Sequence, residues 1–129
     1  MKKILIPVVG LLGILVIIMV WVSTGSSKSP SEVVTTFYEL ANEGEFSKAT
    51  EYVSGDLIRI YEMNGKNMNL DMAKDTHNGQ LKNVEMISEN INGELAMVKV
   101  KLNWKDGTPS RIADYHLTKE NGEWKIAPR

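Results

Sequence analysis

The chain has 129 residues, 43% of them apolar and 24% charged, with a net charge of −1 and no cysteine. That length fits a single domain, and the missing thiols exclude disulfides, thiolate metal sites, a cysteine nucleophile and the lipid attachment of a lipoprotein. With Lys2 and Lys3 set aside, 13 basic residues face 16 acidic ones, a net charge of −3, which argues against a nucleic-acid partner because phosphate binding needs a basic footprint.

The first element follows Met1-Lys2-Lys3. Ile4 to Val22 is 19 residues without a charge, interrupted only by Pro7, Gly10 and Gly13. As a helix it would span roughly 28 Å, close to the thickness of a bilayer's hydrocarbon core. It lacks the polar face of a soluble helix. Trp21 falls at its outer end, where an indole suits the headgroup layer, and the two lysines favour an amino terminus inside. The expectation is a single-pass anchor in a bacterial cytoplasmic membrane over residues 1–22, with the domain outside. The alternative is a cleaved signal peptide, leaving a secreted or periplasmic protein. Signal peptides usually carry apolar runs of about 7 to 15 residues, shorter than this one. Residues 23–28 read as a tether, and residues 29–129 as an extracytoplasmic domain.

The domain opens on Ser29-Pro30-Ser31-Glu32, a capping box with proline at the first helical position. Val33, Val34, Phe37, Leu40 and Ala41 continue it at helical spacing, and Gly44 stops it. Phe46, Ala49 and Val53 mark a second helix, and Leu57, Ile58 and Tyr61 a short third one. Residues 64–80 are poorly patterned, rich in Asn and Met, with a helical turn expected at Leu70 to Lys74.

From Leu81 the period changes to two. Asn92-Gly93, Asp106-Gly107 and Asn121-Gly122 divide four strands, at about 81–91, 94–105, 108–120 and 123–128. A two-residue turn at Asp106-Gly107 sets Val100 opposite Ala113 and Val98 opposite Tyr115. One at Asn121-Gly122 sets Leu117 opposite Ile126. Both registers gather Ala96, Val98, Val100, Leu102, Trp104, Ala113, Tyr115, Leu117, Trp124 and Ile126 on one face, which a one-residue slip would destroy. The first strand has two readings. A simple turn points Glu85, Ile87 and Glu89 inward, whereas a bulge near Asn92 points Val84 and Met86 inward. The expected fold is α+β, with helices packed on a curved four-stranded antiparallel meander.

The order of helices first and meander second resembles the cystatin-like cone fold of the nuclear-transport-factor-2-like superfamily. Within it, the chain resembles a bacterial lumazine-binding-like domain of unknown function found in small exported proteins, often lipoproteins. Ser29-Pro30-Ser31-Glu32-Val33-Val34, Phe37-Tyr38, Gly44 to Ala49, Ala96 to Val100, Asp106-Gly107 and Leu117 to Ile126 carry the resemblance. It implies the fold and, through the group's name, a small ligand. It maps no catalytic residue onto this chain.

Candidate chemistry is sparse. Asp114 and His116 stand two apart on one strand, but the register turns them away from the helices and sets Lys99 opposite Asp114 as an ordinary surface pair. His77 and His116 lie in different regions, so no metal site or cofactor is expected. Arg111 is the one charge on the inner face in mid-register. In a cone fold it would lie at the open end near Trp104, with Tyr38 and Tyr61 from the helices at the rim. A guanidinium among rings suits an anionic or planar ligand; the alternative is that Arg111, at a strand end, snorkels and pairs with a helix carboxylate. The expected function is a membrane-tethered, non-catalytic binding or protein-interaction module of the bacterial envelope. Its partners would be the membrane itself, envelope proteins or a small ligand, with no nucleic acid. Two alternatives stand: an accessory subunit of a secretion or conjugation assembly, and a small isomerase- or dehydratase-type enzyme.

Overall fold

The computed structural model describes residues 28–129, so the expected anchor lies outside the described residues. Ser29 caps the first helix as expected. Its hydroxyl accepts from the Glu32 amide, and Glu32 reaches back to the Ser29 amide at 2.8 Å. Helix α1 (Pro30–Asn42) is followed by Gly44 in the left-handed region at φ 81°. Helix α2 (Phe46–Thr50) is short, and Ser54 caps α3 (Gly55–Met63). The stretch expected to hold a single turn forms α4 (Met68–Asp75), capped by the Asn67 side chain. That asparagine, one of several in a segment that reads as loop, starts the helix.

Strands β1 (Leu81–Asn92), β2 (Leu95–Trp104), β3 (Arg111–Glu120) and β4 (Glu123–Ala127) form one antiparallel sheet in the order β1-β2-β3-β4. The pairings Val100–Ala113, Val98–Tyr115 and Leu117–Ile126 match the expected register. Only the Asn121-Gly122 turn has both central residues at positive φ. At the second turn Asp106 instead accepts from the Thr108 amide at 2.9 Å, and β3 starts at Arg111 rather than at 108.

The first strand combines parts of both readings. Asn92 pairs with Leu95, so the loop is Gly93-Glu94, and Glu89 and Ile91 take the inner face opposite Val98 and Ala96. A bulge between Met86 and Ser88 then shifts the register by one. Beyond it Val84 and Met86 point inward, opposite Leu102 and Val100, while Glu85 faces outward beside Lys101. The bulge lies in mid-strand, not near Asn92.

Helix α1 crosses the concave face and buries Val33, Val34 and Tyr38 against Val98, Val100, Leu102, Leu117 and Ile126. A second cluster holds Ala41, Ala49 and Met72, tying α1, α2 and α4 together. Two polar contacts fix the direction of α1. Ser31 Oγ donates to the Glu89 carboxylate at 3.1 Å. The Asn42 amide accepts from the Leu81 N–H at 3.0 Å and donates to the Leu81 carbonyl at 3.1 Å. The helix therefore runs antiparallel to β1 and starts at the end of the sheet that carries the Gly93-Glu94 turn. Ser54 is fully buried, and its amide donates to the Ile126 carbonyl at 2.8 Å, sealing part of the β4 edge.

Candidate functional site

The other end of the sheet, where α1 finishes, is open. Strand β4 pairs with β3 only from His116 onward, so Arg111 to Tyr115 border a cleft of about 330 Å³. Leu57 of α3, Arg111, Tyr115, Ile126 and Arg129 are among its walls. The Arg129 guanidinium donates to the Asp114 carbonyl at 2.8 Å and closes one side.

Arg111 sits opposite Leu102 and so belongs to the inner face, as the register requires. At the end of its strand it is exposed. Among the described residues it forms no ion pair within 4 Å. It still influences its neighbours. Its charge draws the Asp75 carboxyl and the Tyr38 and Tyr115 hydroxyls toward their ionised forms. In each case desolvation outweighs it. Burial pushes the Tyr115 hydroxyl well up, helped by Tyr38, and burial likewise raises Tyr38. Asp75 keeps a solvent-facing side, yet desolvation holds its carboxyl above the usual 3.8, with Asp71 adding to the rise.

Of the four sequence candidates, three share a neighbourhood and one, Trp104, is covered. Tyr38 is 1% exposed, its ring is core, and its hydroxyl shares a hydrogen bond with that of Tyr115. The two rings meet edge to face at 5.8 Å. Tyr61 is half-buried. Desolvation, then hydrogen bonding to Asp71, then the charges of Asp71 and Asp75 push it up to about 12. Trp104 is 8% exposed, with His77 stacked on it at 3.8 Å. The His77 Nδ1 meets the Asp106 carboxylate at 3.0 Å. Arg111, Tyr38 and Tyr61 thus share one electrostatic neighbourhood through Asp75, and the indole of Trp104 is covered by an imidazole.

Asp71, Asp75 and Tyr115 complete this neighbourhood, and the sequence did not single them out as site residues. Asp71 and Asp75 are four residues apart, which places them on one face of a helix. That signal is readable only once residues 68–75 are recognised as helical. Elsewhere, Lys99 and Asp114 pair at 4.0 Å, both half-exposed on the outer face, as the register implied. Among the described residues, no cluster of three or more His, Asp or Glu side chains could hold a metal ion. No helix among them is long and apolar enough to cross a membrane.

A helical layer laid over a curved meander with one open end defines a nuclear-transport-factor-2-like α+β domain. Comparison with known proteins agrees. The chain belongs to the family described as a domain of unknown function, DUF4878, which matches residues 22–127. Among solved structures it is similar to a Campylobacter jejuni protein provisionally described as an NTF2-like transpeptidase. That match has a TM-score of 0.62 at 14% identity and covers 79% of this chain and 100% of that one. A SEC-C motif containing protein from Rhodopseudomonas palustris gives a TM-score of 0.58 at 12% identity, covering 78% and 76%. A de novo designed NTF2 fold protein gives 0.50 at 17%, covering 80% and 87%. At these identities the likeness concerns the fold alone. No curated protein matches the chain.

Proposed function

We propose that the protein is a membrane-tethered, extracytoplasmic binding module whose open end takes a small ligand carrying an anionic group. The observation that carries this reading is Arg111. Its guanidinium is exposed beside a 330 Å³ cleft and has no carboxylate within 4 Å among the described residues. Such a group offers charge-assisted hydrogen bonds to an incoming anion. Asp71 and Asp75 nearby favour a ligand that also carries a hydrogen-bond donor. The tether rests on the uncharged run from Ile4 to Val22. The non-catalytic character rests on the positions of the β1 carboxylates. Glu85 faces outward, and Glu89, though inward, accepts from Ser31.

Two measurements test this. The full-length chain should remain with membranes through an alkaline wash and leave them only in detergent. Native mass spectrometry of the solubilised protein should then show a small molecule that survives in Lys99→Met and is lost in Arg111→Met. Equal retention in the two variants, or none in the parent chain, would overturn the ligand reading. One observation favours a small enzyme instead: the raised Asp75 carboxyl beside the Tyr38–Tyr115 pair. That reading requires the parent chain to transform the retained molecule and Asp75→Asn to hold it unchanged.

A further inference from the structure

The opposite end of the sheet has a different surface. Nine large apolar side chains are exposed among the described residues, and five of them belong to the β1–β2 hairpin: Met86, Ile87, Ile91, Leu95 and Met97. Ile91 and Leu95, at the turn, are 52% and 63% exposed. They lie on opposite faces of the arm, since Ile91 pairs with inward Ala96 while Leu95 and Met97 alternate with it. Each face of the hairpin near its tip thus exposes a large apolar side chain, beside Asn90 and Asn92 on one face. Exposed apolar surface of this kind marks a contact.

We infer that the tip of the β1–β2 hairpin rests in the outer lipid surface of the membrane that carries the chain. This deepens the tethered reading above and rests on it. The position of the chain end supports it. Lys28, the first described residue, precedes the start of α1, and Ser31 is bonded to Glu89 of the same arm. Between the apolar run ending at Val22 and the helix cap at Ser29 stand six residues, which reach at most about 21 Å when fully extended. From Glu89 the arm continues four residues to Gly93, a rise of about 13 Å. The tip therefore extends past the beginning of α1 over more than half of the longest tether. A domain held this closely, with this end toward the bilayer, brings Ile91 and Leu95 to the headgroup layer.

The surrounding charges set the kind of contact. Glu32, Glu51, Glu89, Glu94, Glu120 and Glu123 outnumber Lys28, Lys119 and Lys125 at this end, so the contact rests on apolar burial and not on attraction to anionic headgroups. Glu94, at the turn itself, sets the depth. A carboxylate stays out of hydrocarbon, which limits Ile91 and Leu95 to the boundary between headgroups and acyl chains. Lys119 is laid over the Trp124 ring, and Lys125 is bonded to the Glu51 carbonyl and paired with Glu123, so these two cations stay with the domain.

The absence of cysteine makes the contact measurable. The full-length chain is incorporated into vesicles of phosphatidylethanolamine and phosphatidylglycerol whose acyl chains carry a quencher. A polarity-sensitive fluorophore is placed at Leu95→Cys, at Ile91→Cys or, at the far end, at Lys105→Cys. The labels at Leu95→Cys and Ile91→Cys are expected to be quenched several-fold more than that at Lys105→Cys. Flotation of the same samples reads the tether separately. Equal quenching at both ends of a chain that floats with the vesicles overturns the lipid contact and leaves the tether standing. A hairpin label shielded from lipid-borne and aqueous quenchers alike also overturns it, because a second copy or a protein partner then covers the tip. A chain that does not float overturns both.

Discussion

Where α1 begins, the sheet ends in a hairpin that exposes Ile91, Leu95 and Met97. Where α1 finishes, the exposed groups are Arg111 and Asp75, with Asp106 beyond them. One sheet thus carries an apolar tip and a charged mouth at opposite ends, joined by a core common to both. The separation follows from strand length. Strand β1 has 12 residues and outruns the helix that covers it, while β4 has five and leaves half of β3 unpaired. Lengthening one edge strand makes a projection, and shortening the other makes a cleft.

The largest expected effect concerns the link that places α1 at the open end. Asn42→Ala removes both hydrogen bonds to Leu81 and leaves two main-chain groups unpaired. It should cost about 2 kcal/mol, read by urea unfolding, with hydrogen exchange rising first at Leu81. Ser31→Ala, at the tip end, should cost less than half as much.

Next comes the phenol pair between the two ends. Tyr38→Phe strands the Tyr115 hydroxyl in a buried site and should cost about 1 to 2 kcal/mol. The double variant Tyr38→Phe with Tyr115→Phe should cost less than the two single losses combined, since no hydroxyl is left unpaired. Additive losses would show that the shared hydrogen bond contributes nothing.

The open end should then show opposed pH responses from two aspartates. The folded-state value of Asp75 lies above 3.8, so the folded protein holds that proton more tightly than the unfolded one. Stability from this group is full below 3.8 and falls as pH rises through the folded value. Asp106 is lowered by hydrogen bonds from Thr108 and by His77. Its contribution is present above 3.8 and is lost as pH falls through its folded value. Melting temperatures across the acid range should show Asp75→Asn flattening the first change and Asp106→Asn the second, with little effect of either on the tip.

The smallest effect is expected at Lys99 and Asp114. Both are half-exposed at 4.0 Å, so Lys99→Ala should change stability by no more than about 0.5 kcal/mol.

The sequence was most legible where several local signals had to agree. Two turns, each fixing a register independently, converged on one inner face. Nine of its ten residues are buried, and the tenth, Tyr115, packs against the core. Strand β1 was ambiguous for a physical reason. Met86 and Ile87 are adjacent and both apolar, so alternation cannot decide which faces inward, and the bulge falls on Ile87, between Met86 and Ser88. The candidate site was only partly legible. Arg111 followed from the register, but Asp71 and Asp75 depended on a helix whose asparagine cap sits in a run that looks like loop. The covering of Trp104 could not be read at all. It needs His77 at φ 50°, the first of three consecutive residues in the left-handed region, and only the third is a glycine.

The Ile87 bulge also bears on how neighbouring molecules behave. Strand β1 lies at the edge of the sheet, and 12 regularly spaced residues would present an unbroken ladder of free N–H and C=O groups. Another strand could zip onto such an edge. An open ladder of this kind would let the sheets of two molecules join side by side. The extra residue at mid-length breaks the spacing of those groups and twists the strand, and a second irregularity between Leu81 and Asn83 interrupts it again near its start. The Ile87 insertion thus redirects the side chains of β1 and, with the irregularity near Leu81, guards its edge against strand-to-strand pairing.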